Sequence, residues 1–287
     1  MANTIDVTDA AVFIPELWSA DVLIFRERAL VMAQLVERYD SLVKGKGDYI
    51  HLPNLSELTA NDKTANNEVT LNYPTETEDT ISIATHKETS FEIEDIVKVQ
   101  SQYQLRELYT KAAGYSIAKA IDTDLLGLYS SLTSTDVGTY GVDITDATIV
   151  KGIETLDVAD VPFTDRYLVI KPSQKAALMK LDKFVKADFL GQYQQPTVVR
   201  KGPNSGHLWG DVYGVPTYYT NQVTTTAGTP TQIHNILFHK SAFALALQMG
   251  PRTQGNYWAK DLAWLVTVDA IYGLGCIRTD HGVEIRS

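Results

Sequence analysis

Cysteine is almost missing from this chain. Cys276 is the single one in 287 residues, so no disulfide can close within the chain and no cysteine-based zinc site can be built. No lysine or arginine precedes Arg26. The charged start of a secretory signal is therefore lacking, and a reducing cytoplasm is the expected place of synthesis. Long apolar runs are lacking too: Ala242–Leu247 falls far short of the roughly 20 residues a membrane-spanning helix takes. Basic residues are outnumbered 25 to 35 by acidic ones, a formal net charge of −10. That deficit argues against a sequence-specific nucleic-acid binder, which presents a basic face. It leaves open a surface that lies near nucleic acid without holding it. No internal repeat or low-complexity tract is present. What is there is ordinary: 44% hydrophobic and 21% charged residues exclude a disordered or collagen-like chain. The length suits one large or two medium domains with their own core.

Pro15-Glu16-Leu17-Trp18 opens a helix expected to run to about residue 43, with Leu17, Val22, Phe25, Ala29, Leu30, Ala33 and Val36 near helical spacing. Gly45-Lys46-Gly47 ends it. Asp48–Leu52 reads as a strand stopping at Pro53, and Glu68–Tyr73 and Thr80–Thr85 alternate as strands do, as do Phe91 and Ile93. Between them residues 54–67 carry almost no large apolar side chain. This is a long hairpin-like excursion with a polar tip and no core of its own, and such a ribbon is marginal alone in water.

Residues 96–132 then step by threes and fours without proline. They predict one helix of about 35 residues, roughly 50 Å long, that lacks the charge code of a coiled coil. It reads as a backbone helix on which other elements dock. Beyond it, Asp146–Leu156 is a helix with Asp143 or Thr145 as N-cap. Arg166–Ile170 is a strand, and Lys171-Pro172-Ser173 starts a helix to Leu181. Lys183–Gln195 reads as looser and Pro203–Gly206 as a turn. Leu208–Gly214, Val215–Thr220, Ile233–His239, Ser241–Gln248, Ala263–Ala270, Gly275–Ile277 and Val283–Ile285 read as strands or a strand-helix mixture. Thr224–Thr231 and Arg252–Asp261 read as polar loops.

No constellation for chemistry emerges. A zinc helix of the His-Glu-x-x-His type, a nucleophile elbow and a phosphate-binding glycine loop are all absent. Cys276 lies among Leu274, Gly275 and Ile277 and reads as a small buried apolar residue. His207 and Asp211 are four apart, but Gly206, Gly210 and Gly214 disfavour the helix that would bring them together. Asp280-His281 reads as a turn rather than an acid–base pair. Asp122 and Asp124 point to different faces of the long helix. Glu76, Glu78 and Asp79 lack calcium-loop spacing. The chain is therefore expected to be non-catalytic, with no cofactor and no metal.

Charge is unevenly spread. Residues 54–95 hold ten acids against two bases, whereas residues 166–201 hold eight bases against two acids. An acidic extended arm and a basic segment suggest mutual attraction.

The order of these parts resembles the major capsid proteins of tailed bacteriophages, of the Hong Kong 97-type fold. Phe13–Trp18, Arg166–Pro172, Gly210–Asn221, Leu237–Phe243 and Tyr272–Gly282 each resemble stretches of that family. The resemblance implies an α+β fold with an N-terminal arm, an extended β-loop, a long spine helix, and peripheral and axial domains. It places the arm and its helix at residues 1–44, the extended loop at 45–79, a peripheral domain with the spine helix at 80–135, and the axial domain at 136–235. Residues 236–287 are returning strands. It further implies self-assembly into hexamers and pentamers of an icosahedral head around double-stranded DNA held non-specifically. Partners would be a portal, a separate scaffolding protein (no long scaffold extension precedes the arm) and a possible decoration protein. The virion is the implied location. A nanocompartment shell of the same fold, or an unrelated α+β enzyme, are the alternatives.

On this reading Glu57, Asp62, Lys63, Glu68, Glu76, Glu78 and Asp79 of the extended loop are expected at an inter-subunit interface. Their basic partners are expected among Arg106, Lys111, Arg166, Lys180, Lys183, Lys186, Arg200 and Lys201. Arg252, Gln254 and Lys260 are expected in a peripheral loop at three-fold contacts. Nothing assigns a covalent Lys–Asn cross-link to Lys63. Met1–Ile14 carries few apolar anchors and is expected to be held by a neighbouring copy.

Overall fold

The computed structural model of the chain describes residues 30–43, 47–55, 58–96, 105–181 and 208–287. The expectations for Met1–Ile14, the helix from Pro15 to residue 29, Lys183–Gln195 and Pro203–Gly206 lie outside these residues. In chain order the elements are a one-turn helix α1 (Met32–Leu35), β1 (Glu37–Arg38), β2 (Tyr49–Asn54), β3 (Thr77–Ser82), β4 (Thr85–Glu94), the long helix α2 (Leu105–Gly127), β5 (Val137–Gly138), α3 (Asp146–Val158), β6 (Arg166–Ile170) and α4 (Pro172–Leu178). Then follow β7 (Leu208–Val212), β8 (Val215–Tyr219), β9 (Thr225–Thr226), β10 (Gln232–His239), β11 (Phe243–Trp258), β12 (Ala263–Cys276) and β13 (Gly282–Arg286).

Two sheets and a ribbon result. One sheet has the order β1-β11-β12-β4, and a seven-stranded sheet has the order β5-β13-β10-β6-β8-β7 with β9 on β10. The pair β2-β3 stands by itself. The first sheet carries α2 on one face. Ala113, Ile117, Ile121 and Leu125 recur every four residues, which places them on one side of a helix. They pack with Val268, Ala270 and Tyr272 of β12 and Phe243 and Leu245 of β11. The same core continues into Val169, Ile236 and Phe238, so α2 joins both sheets. On the other face of the seven-stranded sheet, Ile149, Leu156 and Leu178 of α3 and α4 cover Leu168, Ile170, Leu237, Val283 and Ile285. Each such side chain stabilises by about 1.5–3 kcal/mol.

Several local signals hold. Thr145 caps α3 with a full capping box to Thr148, and the helix runs to Val158, two residues past Leu156. Pro172 starts α4 as the fixed φ of proline favours, and α4 ends at Leu178, short of Leu181. Other expectations are corrected. The first helix does not reach residue 43: it stops at Leu35, and Val36 turns extended so that Glu37 and Arg38 can pair in parallel with Ala244 and Leu245. The long helix is α-helical over 23 residues from Leu105, then tightens to a 3-10 turn at Leu128–Ser131; its expected start at residues 97–104 lies outside the described residues. β2 runs through Pro53 to Asn54, opposite Glu78 and Thr77. In a two-stranded ribbon a missing N–H can face solvent. Glu68–Tyr73 forms no strand despite its alternation, and no partner strand lies beside it among the described residues. Arg252–Asp261 is mostly not a loop: β11 runs to Trp258, paired residue by residue with β12 beyond an irregularity at Leu247–Arg252.

Candidate assembly surfaces

The extended loop has a buried root and an exposed strap. At the root, Ile50, Ile81 and Ile83 pack with Val43, Ala244 and Ala246. Glycine makes this possible on β12. A Cβ on Gly273 would lie 2.6 Å from the Ser82 carbonyl oxygen and 3.1 Å from the Ile83 Cα, and one on Gly275 would lie 3.2 Å from Ile81 Cγ1. The ribbon thus lies close against a patch of glycine and alanine on β11 and β12. The Asp48 carbonyl also accepts from the Ile83 N–H at 2.8 Å.

Beyond the root everything faces solvent. Of the described residues from Pro53 to Thr80, only Asp79 is even partly covered. The strap exposes Leu55 (76%), Leu58 (62%), Val69 (65%), Leu71 (64%) and Tyr73 (84%). Its tip is braced by its own polar groups. Asn72 donates to the Thr59 carbonyl at 2.5 Å, while Asn61 donates to Asn72 Oδ1 at 3.1 Å. Lys63 donates to the Thr64 carbonyl at 2.8 Å and to the Asn67 carbonyl. Lys63 is therefore spent on its own loop. Glu78 pairs with His51 at 3.2 Å, and Asp79 lines a groove with Tyr39, Ser241 and Arg278. Asp62, Glu68 and Glu76 meet no basic side chain among the described residues. Glu57 lies outside them.

The expected basic partners divide. Arg106 and Lys111 are exposed near the start of α2 and, with Glu107, Thr110 and Thr253, line an open concavity of about 560 Å³. The Arg106 guanidinium stacks over Trp264 at 5.4 Å. Lys180 is exposed just past α4. Arg166 is a correction. It is 2% exposed, ion-paired with Asp157 at 2.6 Å, and donates to the carbonyls of Pro162 (2.9 Å) and Val161 (2.5 Å). A guanidinium so enclosed stitches its own domain and cannot meet a neighbour's carboxylate. Lys183, Lys186, Arg200 and Lys201 lie outside the described residues.

In the β11–β12 hairpin, Arg252 and Gln254 stand on the strand and Lys260 in the turn. Arg252 grips Asp269 with two hydrogen bonds of 2.9 and 3.0 Å, and His86 reaches the same carboxylate at 3.0 Å. The Arg252 bond holds the Asp269 carboxyl below its ordinary value. This clasp spans three strands of the sheet face opposite α2.

Most of the groups weighed for chemistry have structural partners among the described residues. Burial pushes the Cys276 thiol up to about 11, which leaves it protonated and inert, although it is only partly covered. His281 hydrogen-bonds Ser241 at 2.7 Å, and Ser241 bonds His239 at 2.7 Å; burial lowers the pKa of both imidazoles. Asp122 and Asp124 do separate: Asp122 accepts from the Val31 and Met32 N–H groups at 3.2 and 2.7 Å, while Asp124 accepts from Tyr272 at 2.7 Å. Desolvation raises Asp122 to about 6. His207 lies outside the described residues, and Asp211 is on β7. Sequence reasoning missed two things: the strap's apolar side chains as a set, and the Gly273–Gly275 seat, whose x-Gly-x-Gly-x spacing is its only signal.

No family model and no curated protein matches the chain. Solved phage structures do. A chain of Mycobacterium phage Che8 is 24% identical, with TM-score 0.77 over 95% of this chain and 97% of that one. A chain of the capsid structure of cyanophage P-SCSP1u is 17% identical, with TM-score 0.76 over 96% and 93%. A chain of the mature capsid of bacteriophage PhiM1 is 14% identical, with TM-score 0.73 over 95% and 91%. The chain has the fold of these phage chains, two of them from capsid structures, and it is the α+β, Hong Kong 97-type fold that the order of its parts implied.

Proposed function

We propose that this chain is the major capsid protein of a tailed phage, a non-catalytic subunit that closes into an icosahedral head of hexamers and pentamers around double-stranded DNA. The observation that carries the reading is the end-to-end match to phage capsid chains: little of either chain is left over to house a different activity. The strap supports it independently. Five large apolar side chains and several unpaired carboxylates, on a ribbon that cannot bury them itself, suit a surface completed by a neighbour.

In this reading residues 1–44 are the arm, 45–79 the extended loop, 80–135 the peripheral domain with its spine, 136–235 the axial domain and 236–287 the returning strands. The turn carrying Lys260 lies at three-fold contacts. A net charge of −10 lets the wall face packed DNA without trapping it. A scaffolding protein and a portal act during assembly in the host cytoplasm, and a decoration protein is a further candidate partner. Electron microscopy of the purified chain, alone and with its scaffolding partner, tests the reading. Uniform hollow particles or six- and five-fold capsomers are expected. Monomers alone, at concentrations where capsids form, would contradict it.

A further inference from the structure

We propose that residues 68–73 of one copy add as a strand to the outer edge of β11 in a second copy, an inference that rests on the capsid-shell reading and specifies one of its contacts. Three features converge on it. Glu68-Val69-Thr70-Leu71-Asn72-Tyr73 alternates polar and apolar without a break, yet has no strand partner among the described residues, and its three apolar side chains are at least 64% exposed. A β pattern without a ladder leaves its backbone groups and one whole face unmatched.

An open edge of the right kind exists. The two edges of the first sheet differ. β4 is guarded by Lys87, Glu88, Glu92 and Glu94, the usual defence against added strands. β11 is covered by β1 only at Ala244 and Leu245. From Met249 to Trp258 no described strand lies beside it, and its one charged side chain there, Arg252, is bound across to Asp269. Tyr257 and Trp258 are exposed at its end. Pro251 and the irregularity at Leu247–Arg252 close the near end of this edge, which leaves the seven regularly paired residues Arg252–Trp258, enough for a six-residue strand.

The third feature is charge. The concavity lined by Arg106, Lys111 and Thr253 sits beside this edge on the α2 side of the sheet. A strand added next to Thr253 hangs every second side chain over it. With Glu68, Thr70 and Asn72 on that face, the Glu68 carboxylate reaches the two cations, although Glu107 shares the lining. Val69, Leu71 and Tyr73 then fall on the opposite face, the side of Trp258. Main-chain bonds give the affinity of such strand addition, and the side-chain alternation sets its register.

Hydrogen exchange on free subunits and on assembled particles reads this directly. The amides of residues 68–73 and 249–258 should both slow by roughly tenfold or more on assembly. Leu71→Pro removes one ladder donor from a fully exposed segment and leaves the free subunit folded, which circular dichroism checks. In particles of this variant the protection at 249–258 should be lost. If the variant does not close particles alone, particles co-assembled with the unsubstituted chain should lose protection at 249–258 in proportion to the variant's share. Residues 249–258 exchanging as fast in particles as in free subunits would overturn the proposal, and so would protection there that survives Leu71→Pro. Failure of the unsubstituted chain to assemble with its scaffolding partner would instead sink the capsid reading, and this pairing with it.

Discussion

The seven-stranded sheet and the strap of the extended loop obey opposite rules. In the sheet, Leu168, Ile170, Leu237 and Ile285 are wholly buried against α3 and α4, and even a guanidinium, Arg166, finds its partners within a few residues of sequence. In the strap, apolar side chains of similar size stand in solvent, and Asp62, Glu68 and Glu76 meet no basic side chain among the described residues. One region is explained by its own chain. The other makes physical sense only with a second chain beside it.

The largest expected effect breaks the first region. Leu168→Ala or Leu237→Ala should cost the isolated subunit about 2–5 kcal/mol, measured by denaturant unfolding. Leu71→Ala or Tyr73→Ala, at exposed sites, should stay within about 0.5 kcal/mol in the same assay and act on assembly instead. Equal destabilisation of free subunits by both sets would erase the contrast.

Gly273→Val attacks the boundary between the regions. Its side chain must displace Ser82 and Ile83, so the ribbon root should loosen at a cost of about 1–3 kcal/mol. Limited proteolysis should then cut near residues 50 and 80 before the rest unfolds.

How much of this was legible in the sequence follows the same division. α3, β6 and the start of α4 were readable because capping Thr145, the Arg166–Ile170 run and Pro172 act locally. Segments whose state is set by distant partners were not. Glu37 and Arg38 read as helix but are held extended by β11, and Arg252–Trp258 reads as loop but is held as strand by β12. Glu68–Tyr73 reads as strand and lacks a partner among the described residues. Arg166 looked like a surface cation because its charge shows in the sequence, whereas the loop that folds Asp157 and the Val161 and Pro162 carbonyls around it does not. The groove below the ribbon, by contrast, depends on contacts more than two hundred residues apart.

A pH measurement sharpens the picture on the α2 side. Asp122 has a folded value of about 6 against an ordinary 3.8, so the folded state holds this proton more tightly. Its contribution to stability therefore grows as pH falls from above 6 toward 4 and is lost as pH rises back through 6. Relative to Asp122→Asn, the natural chain should gain stability on acidification across that window; a constant difference between the two would show that Asp122 is not desolvated.

The smallest expected effect is electrostatic. Each exposed pair is worth about 0–1 kcal/mol. Reversing Asp62, Glu68 and Glu76 together should leave folded subunits that assemble less readily at low salt. The difference from the natural chain should shrink near 1 M salt, where the screening length is about 3 Å. Unchanged assembly at every salt concentration would remove charge from the account of the strap.

The most direct test of the central claim is an electron cryomicroscopy reconstruction of the assembled particle at side-chain resolution. It should show residues 58–76 lying on an adjacent subunit, with Leu58, Val69, Leu71 and Tyr73 buried there. A strap that folds back on its own subunit, or stands in solvent within a closed shell, would contradict it.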